Sequence, residues 1–280
     1  MERVVIVISI YNRINKTLAF LRSIYDQQNI WDKYNISIII IDDMSEDGSK
    51  ERIEKEYKDV KIIRTEGNYF WSRSMSLGMQ KAIENTPDYL IIANDDTYIY
   101  PDSISRLIEY AKETSSSVVG AFSDENQRTS YSGMLKKSRI NPLNLYRIDP
   151  KEDLIEIDAF NGNLVIIPAS AFTKVGVISD QYSHAYGDLD YSMRIKKAGE
   201  RIVLAPGYVG TCSRNPVQGT YLDRSLPVLD RVKLSVSRKG VPFRDTYIFY
   251  KRNGPSWWLI LLTWKYIRLF SAVLLNRQHH

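Results

Sequence analysis

The sequence predicts an α/β fold organised on a doubly wound, mostly parallel sheet with flanking helices and a C-terminal helical extension. Three observations carry this expectation. Apolar, largely β-branched runs at residues 4–10, 36–41 and 89–93 have the continuous apolarity of strands buried on both faces. Segments whose apolar residues recur at helical spacing alternate with them. Two of the runs pass directly into paired carboxylates, Asp42-Asp43 and Asp95-Asp96. Open α/β sheets bind ligands at the carboxyl ends of their strands, so these acids stand where a ligand can reach them.

Residues 4–10 form the first strand, followed by Tyr11-Asn12-Arg13 and by Thr17, Leu18, Leu21 and Ile24 along one helical face. Residues 36–41 form the second, which ends in Asp42-Asp43-Met44-Ser45-Glu46-Asp47-Gly48 before a charged helix over 50–58. A third strand spans 60–63, and Met75, Met79 and Ile83 mark the next helix. It leads to the strand at 89–93, around whose Asn94-Asp95-Asp96 end the chain is arranged. Pro101 falls at a helix start, where its missing N–H costs nothing, and 118–121 closes the series. From 123 to 160 the chain turns polar and irregular, with Asn141-Pro142 and Asp149-Pro150 as turn signals, which reads as an excursion over the sheet. Apolar residues return at 164–167 before a short helix over 169–175 that ends at Gly176. Residues 187–198 form a helix with Asp188 and Asp190 in its first turn, cations in its last, and Gly199 at its end, as the helix dipole favours.

The totals narrow the function classes. At 280 residues and 44% hydrophobic content the chain buries a full core and is not disordered. A lone cysteine, Cys212, excludes an internal disulfide and fits a reducing compartment. The histidines are His184, His279 and His280, too few for a Cys/His zinc site. No secretory signal is expected, because the first apolar run is short and Asn12-Arg13 follows it. The net charge of +5 is uneven: residues 231–280 hold ten Lys or Arg and one acid, a balance of +9, which leaves −4 on the first 230.

Three acidic clusters, Asp42-Asp43, Asp95-Asp96 and Asp188-Asp190, thus stand at comparable places and can converge on one edge of the sheet. Crowded carboxylates repel unless a cation joins them or one keeps a proton. A divalent ion carrying phosphates resolves this, since Mg²⁺ or Mn²⁺ takes one or two carboxylates and completes its shell with substrate oxygens.

Four motifs in order, Ser9-Ile10-Tyr11-Asn12-Arg13, Asp42 to Gly48, Asn94-Asp95-Asp96, and Gly187-Asp188-Leu189-Asp190 with Arg194, resemble the family 2 glycosyltransferases of the GT-A fold, over about residues 3–212. The resemblance implies an inverting enzyme of bacterial surface-polysaccharide synthesis that moves a sugar from a UDP- or dTDP-sugar to a hydroxyl of a glycan or lipid-linked saccharide. It implies that Asp43 and the Ser9, Tyr11, Asn12 and Arg13 turn hold the nucleoside, with Asp95 also on the donor side, that Asp96 binds Mn²⁺ or Mg²⁺, and that Asp188 is the general base. Two departures stand out: Asn94 replaces the first Asp of the metal motif, and Cys212 lies near the place of a histidine often found as a further ligand. The division expected is a nucleotide-sugar-binding half at 1–122, an acceptor-binding and catalytic half at 123–225, and a basic amphipathic tail at 226–280.

Around these, Phe70 and Trp71 face either the donor sugar or the core, and Asn161, Gly162 and His184 stand on the acceptor side or in ordinary turns. Asp190 is expected to pair with Arg194 rather than to act on substrate. Arg231 and Lys239 are candidates for the diphosphate. The alternatives in other classes are a sugar-phosphate nucleotidyltransferase, whose glycine-rich phosphate loop is missing between Ser9 and Asn15, and a glycan-binding protein without catalysis.

Residues 257–275 are long enough to span a bilayer, but Lys265 and Arg268 in the middle would each cost roughly 2.5–3.5 kcal/mol there. Flanked by Trp257, Trp258, Trp264 and Tyr266, the segment reads as a helix lying in an anionic membrane interface, not as a nucleic-acid binder. The localisation expected is cytoplasmic and peripheral on the inner face of the cell membrane, and a homodimer is compatible with the sequence.

Overall fold

The computed structural model describes residues 1–213, 216–238 and 240–275. β1 (Glu2–Ile10) turns into α1 (Ile14–Tyr25), and the single turn α2 (Ile30–Lys33) precedes β2 (Tyr34–Asp42). α3 (Ser49–Glu56), β3 (Lys61–Arg64), α4 (Phe70–Ile83) and β4 (Tyr89–Asn94) follow, then β5 (Tyr98–Ile99), α5 (Ser103–Thr114) and β6 (Ser117–Ser123). The next segment carries β7 (Thr129–Tyr131), β8 (Gly133–Lys136), β9 (Leu145–Arg147), β10 (Ile155–Glu156) and β11 (Ala159–Phe160). β12 (Leu164–Pro168), α6 (Ala169–Val175), α7 (Gly187–Lys197) and β13 (Ile202–Thr211) complete the sheet and its cover. Three helices close the chain: α8 (Val228–Ser235), α9 (Phe243–Asn253) and α10 (Trp258–Leu274).

The main sheet runs in the order β10-β13-β6-β12-β4-β1-β2-β3. β3, β2, β1 and β4 are parallel, as the alternation of strand and helix predicts. β1 shows why its sequence carries no polar face. Val4, Ile6, Ile8 and Ile10 pack against Leu18, Phe20 and Leu21 of α1 and Leu107 and Ile108 of α5, while Val5 and Val7 pack against Met75 and Met79 of α4. Successive side chains of a strand point to opposite faces, so a strand with helices on both sides must be apolar throughout. α4 lies close enough that a Cβ on Gly78 would stand 2.4 Å from Val7 Cγ1.

One strand direction was left open by the sequence, and one expectation needed correction. β12 runs antiparallel between β4 and β6, because an apolar run buried on both faces reads the same in either direction. The excursion at 123–160 is not irregular: β7 pairs with β6, β10 with β13, and β8, β9 and β11 form a small second sheet. Strands of two to four residues bury too little to show a period in the sequence. The helix expected over 50–58 begins at Ser49 and stops at Glu56, and the one placed at Pro101 begins at Ser103.

The C-terminal helices pack on the body through a satellite core in which Phe249, Tyr250 and Leu262 meet Tyr182 and Met193. α10 buries Leu262, Leu269, Ala272 and Val273 and rests on α8 and α9. Among the described residues no helix is long and apolar enough to cross a membrane.

Candidate active site

Strand register gathers the motifs. Ser9 lies opposite Asn94 and Ile10 opposite Asp42, so the β1, β2 and β4 ends stand side by side. β12 starts at the same edge, where the Asn94 N–H donates to the Asn163 carbonyl at 3.1 Å. β13 ends there too, and the Cys212 N–H donates to the Ser123 carbonyl at 2.9 Å.

On the β2 side, Asp43 is buried and accepts from Thr65 Oγ1 at 2.7 Å and from the backbone N–H groups of Tyr69 at 3.0 Å and Phe70 at 2.8 Å. Its carboxylate thus fastens the turn that starts α4, and one lone pair of Oδ2 is left for a ligand. Asp42 is fully buried and accepts from the Ser45 N–H at 2.8 Å. Asn12, at φ +48°, accepts from the Glu46 N–H at 2.7 Å, while Ser45 Oγ receives the Asn12 N–H at 3.0 Å. These bonds lock the β1 and β2 turns together. Ser9 is buried beneath them, and Tyr11 is exposed on the rim.

On the β4 side the expectation for Asp95 is corrected. Its side chain is fully buried, bonded to Thr17 Oγ1 at 2.7 Å and paired with Arg13 Nη2 at 2.7 Å, so it anchors α1 rather than facing a donor. Burial pushes its carboxyl up to about 6 against the pull of Arg13. Arg13 also pairs with Asp96 Oδ2 through Nη1 at 2.9 Å. The guanidinium therefore bridges both carboxylates and supplies the cation their crowding requires. Asp96 retains some exposure. Beside it the Cys212 sulfur lies 3.6 Å from the Asp96 carbonyl, and burial pushes the thiol up to about 12.

Asp188 opens α7 and faces the start of β12. Oδ1 accepts the Leu189 N–H at 2.8 Å, Oδ2 accepts the Gly162 N–H at 3.2 Å, and the Asn161 side chain adds a further bond. The helix start alone would hold the carboxyl low. Here desolvation is the larger effect and the carboxyl is raised, with the hydrogen bonds opposing it. Preceding it, Tyr186 is held at φ +69°. Trp71 joins this side to β4: its Nε1 donates to Asn94 Oδ1 at 2.7 Å, and its ring covers Gly162, where a Cβ would stand 2.7 Å from the indole. Asn94, Trp71, Gly162 and Asp188 are thus one contact chain across the edge.

Asp190, expected to pair with Arg194, does so at 3.0 Å and gathers more. It is fully buried and also receives Tyr182 Oη at 3.0 Å, Asn253 Nδ2 at 2.8 Å and Arg252 Nη1 at 3.3 Å. His184 is exposed, and its backbone N–H donates to Asp245 at 3.3 Å. Arg231 is buried with Nε on the Tyr221 carbonyl at 2.9 Å, and Lys239 lies outside the described residues. Sequence reasoning missed Arg238, whose guanidinium lies 3.6 Å from the centre of the Phe70 ring, and also the Arg252-Asn253 pair. Nothing in a linear pattern ties either to its partner.

The family described as Glycosyl transferase family 2 matches residues 5–174. An N-acetylglucosaminyl-diphospho-decaprenol L-rhamnosyltransferase of Mycobacterium tuberculosis is 22% identical, covering 82% of this chain and 79% of its own. Among solved structures, a mannosyltransferase of Pyrobaculum calidifontis with GDP-Man and Mn²⁺ superposes with a TM-score of 0.55 at 15% identity. GalNAc-T7 with UDP, GalNAc and Mn²⁺ gives 0.61 at 16%, and S. aureus TarS 1-349 with UDP gives 0.57 at 14%. These matches cover 85%, 91% and 91% of this chain, which spans 63%, 52% and 73% of the respective structures. They share its fold. With the family match extending over more than half its length, the chain belongs to glycosyl transferase family 2 and is a glycosyltransferase of the GT-A fold.

Proposed function

We propose that the protein is an inverting hexosyl- or deoxyhexosyltransferase that moves a sugar from a UDP- or dTDP-sugar to a hydroxyl of a saccharide or lipid-linked saccharide, in the synthesis of a bacterial surface polysaccharide. The observation that supports this best is the position of Asp188. Its carboxylate is fixed by two backbone N–H groups and joined through Gly162, Trp71 and Asn94 to the edge that carries Asp43 and Asp96. The relative's name, which couples L-rhamnose to a diphosphate-linked lipid, favours a deoxyhexose and a lipid-linked acceptor.

In this reading Asp43 and the turn at Ser9, Tyr11 and Asn12 take the nucleoside, and Trp71 with Asn94 borders the donor sugar. Asp95 and Arg13 position Asp96. As the acceptor oxygen bonds to the anomeric carbon, the carbon–oxygen bond to the diphosphate breaks, its electron pair leaves with the diphosphate, and the acceptor proton passes to Asp188. Attack opposite the leaving group inverts the centre in one step. A raised carboxyl suits this role, because it is the stronger base once ionised. Asn161 and Gly162 lie on the acceptor side with His184 further out.

A divalent cation, Mn²⁺ or Mg²⁺, fits Asp96 in a limited way. Among the described residues no three acidic, histidine or cysteine side chains form a ligand set. One carboxylate with diphosphate oxygens is nonetheless a sufficient shell for such an ion. Arg13 Nη1 donates to Asp96 Oδ2, and the other carboxylate oxygen would be the one open to such an ion. The ion would neutralise charge developing on the leaving diphosphate. In the same reading residues 1–122 bind donor, 123–225 bind acceptor and carry the base, and 226–280 hold the protein to the inner face of the cell membrane.

The test is Asp188→Asn, which keeps the shape and removes the proton acceptor. Transfer should fall by about 10²-fold or more while UDP, or dTDP, still raises the melting temperature. In the wild type the rate should climb with pH along a limb displaced above the ordinary carboxylate range, since Asp188 acts only when ionised. Near-normal turnover of the variant ends the assignment.

A further inference from the structure

The C-terminal helices border a cavity of about 290 Å³ that shares no lining residue with the candidate active site. Asn141, Tyr221, Tyr250, Trp264, Lys265 and Arg268 contribute to its wall. Lys265 and Arg268 enter it from the same face of α10, three residues apart. Neither meets a carboxylate among the described residues. Burial lowers the Lys265 ammonium and the exposed Arg268 beside it lowers it further, so a half-buried cation lies next to a second cation with no carboxylate partner among the described residues. Such an arrangement is costly until an anion enters, and a phosphate group offers several acceptor oxygens to an ammonium, a guanidinium and the Asn141 amide together.

The cavity opens beside an unusual stretch of surface. Trp264 and Arg268 line it and are themselves exposed, and Ile260, Ile267 and Leu274 continue the outward side of α10 at helical spacing with exposures of 69, 49 and 60%. An apolar stripe flanked by cations is the pattern of a helix lying in a membrane interface. A second copy of the chain would cover the stripe, but a two-fold contact would bring another cationic cavity and no counter-ion.

We propose that the Lys265–Arg268 cavity binds the phosphate of an anionic membrane lipid whose acyl chains lie along the exposed stripe of α10. This rests on the peripheral-membrane part of the function proposed above and is independent of its catalytic part. The cavity makes the tail selective for a phosphate headgroup, where a merely basic surface would only be attracted to negative charge.

Flotation of the full chain with phosphatidylcholine vesicles, with and without phosphatidylglycerol, tests it. Wild type should partition onto the anionic vesicles. Lys265→Gln with Arg268→Gln should lose about tenfold or more of that partition, and Ile260→Ser with Ile267→Ser should lose binding to both vesicle types. If the double charge variant does not fold, Arg268→Gln alone, at an exposed position, should cost about fivefold. Retained preference of the charge variants for anionic vesicles overturns the proposal. So does stabilisation by inorganic phosphate equal to that by anionic vesicles, which marks a site for free phosphate. A dimer that dissociates in the stripe variant, with no vesicle binding in wild type, assigns the face to a second copy and also overturns it. UDP-induced stabilisation, measured in parallel, should be the same in every variant. Its absence in wild type would defeat the donor reading and leave the lipid site standing.

Discussion

Asp190→Asn separates architecture from chemistry two residues away from the proposed base. The native carboxylate divides its work: Oδ1 accepts from Tyr182 Oη and Asn253 Nδ2, and Oδ2 accepts from Arg194 Nε and Arg252 Nη1. An asparagine side chain offers one acceptor oxygen and one N–H₂ group. Whichever way it turns, one pair of donors meets a donor, and both guanidinium groups lose their counter-charge. Removing one partner of a buried ion pair costs about 3–5 kcal/mol. The arginine side chains are 23 and 32% exposed, and Arg194 keeps the Val175 and Val177 carbonyls at 2.6 and 2.7 Å, so water and backbone recover part of this. We expect a loss of about 3 kcal/mol. For a chain of this size that lowers the melting temperature by roughly 6–12 °C. Urea and thermal unfolding measure it, and UDP binding well below the transition should survive. A variant within about 0.5 kcal/mol of wild type would refute the view that Asp190 clamps the tail to α7.

Other perturbations probe the neighbouring groups. Asp96→Ala should remove the Mn²⁺-dependent part of nucleotide stabilisation and leave the fold intact; unchanged metal dependence in a thermal-shift series would exclude Asp96 as ligand. Asp95 sits near 6 in the folded chain against 3.8 for an ordinary aspartate, so between these values the folded state holds a proton that the unfolded state has lost. Its contribution therefore favours folding at low pH and fades as pH rises through about 6, a change of about 3 kcal/mol at roughly 1.4 kcal/mol per pH unit. Asp95→Asn should flatten that part of the stability-against-pH curve, and an unaltered slope would count against the burial argument. Gly162→Ala places a Cβ 2.7 Å from the Trp71 ring, so the indole must leave Asn94; transfer should drop about tenfold or more while circular dichroism stays native.

How much of this was legible in the sequence depended on whether burial or partnership decides a residue. The apolar runs of β1, β2 and β4 announced themselves because a strand covered on both faces tolerates no polar side chain. The carboxylates at their ends marked the edge for the complementary reason. Direction was illegible in β12, since Leu164 to Ile167 would look alike run either way. The use to which each acid is put was illegible too. Asp43, Asp95 and Asp188 look equivalent as letters, yet one fastens the distant turn that starts α4, one is sealed under Arg13 and Thr17, and one faces the start of β12. Those fates depend on which backbone N–H groups and cations the fold brings close, and Arg13 shows the difficulty plainly. It follows the first strand, as a nucleoside contact would, but its guanidinium reaches two acids at the end of another strand.

Asp188 and Asp190 show how the basic tail enters the site without touching it. Positions two apart on an α-helix point about 200° away from one another, so one aspartate faces β12 and the other faces the opposite side. There α9 waits with Arg252 and Asn253, and Lys197 at the far end of α7 adds bonds to the Arg252 carbonyl at 2.9 Å and Asn253 Oδ1 at 3.0 Å. Tyr186, stacked on Phe249 with ring centroids 4.6 Å apart, ties the start of α7 to the same helix. Rotation of α7 about its axis would swing Asp188 away from Gly162, and residues beyond 240 resist it together with Tyr182 and the Val175 and Val177 carbonyls. The proposed division at 226 thus runs across contacts that join α9 to α7. Through Arg252, Asn253 and Phe249, α9 helps hold the helix on which the proposed base is mounted, so a substitution in α9 that loosens these contacts should lower transfer along with stability.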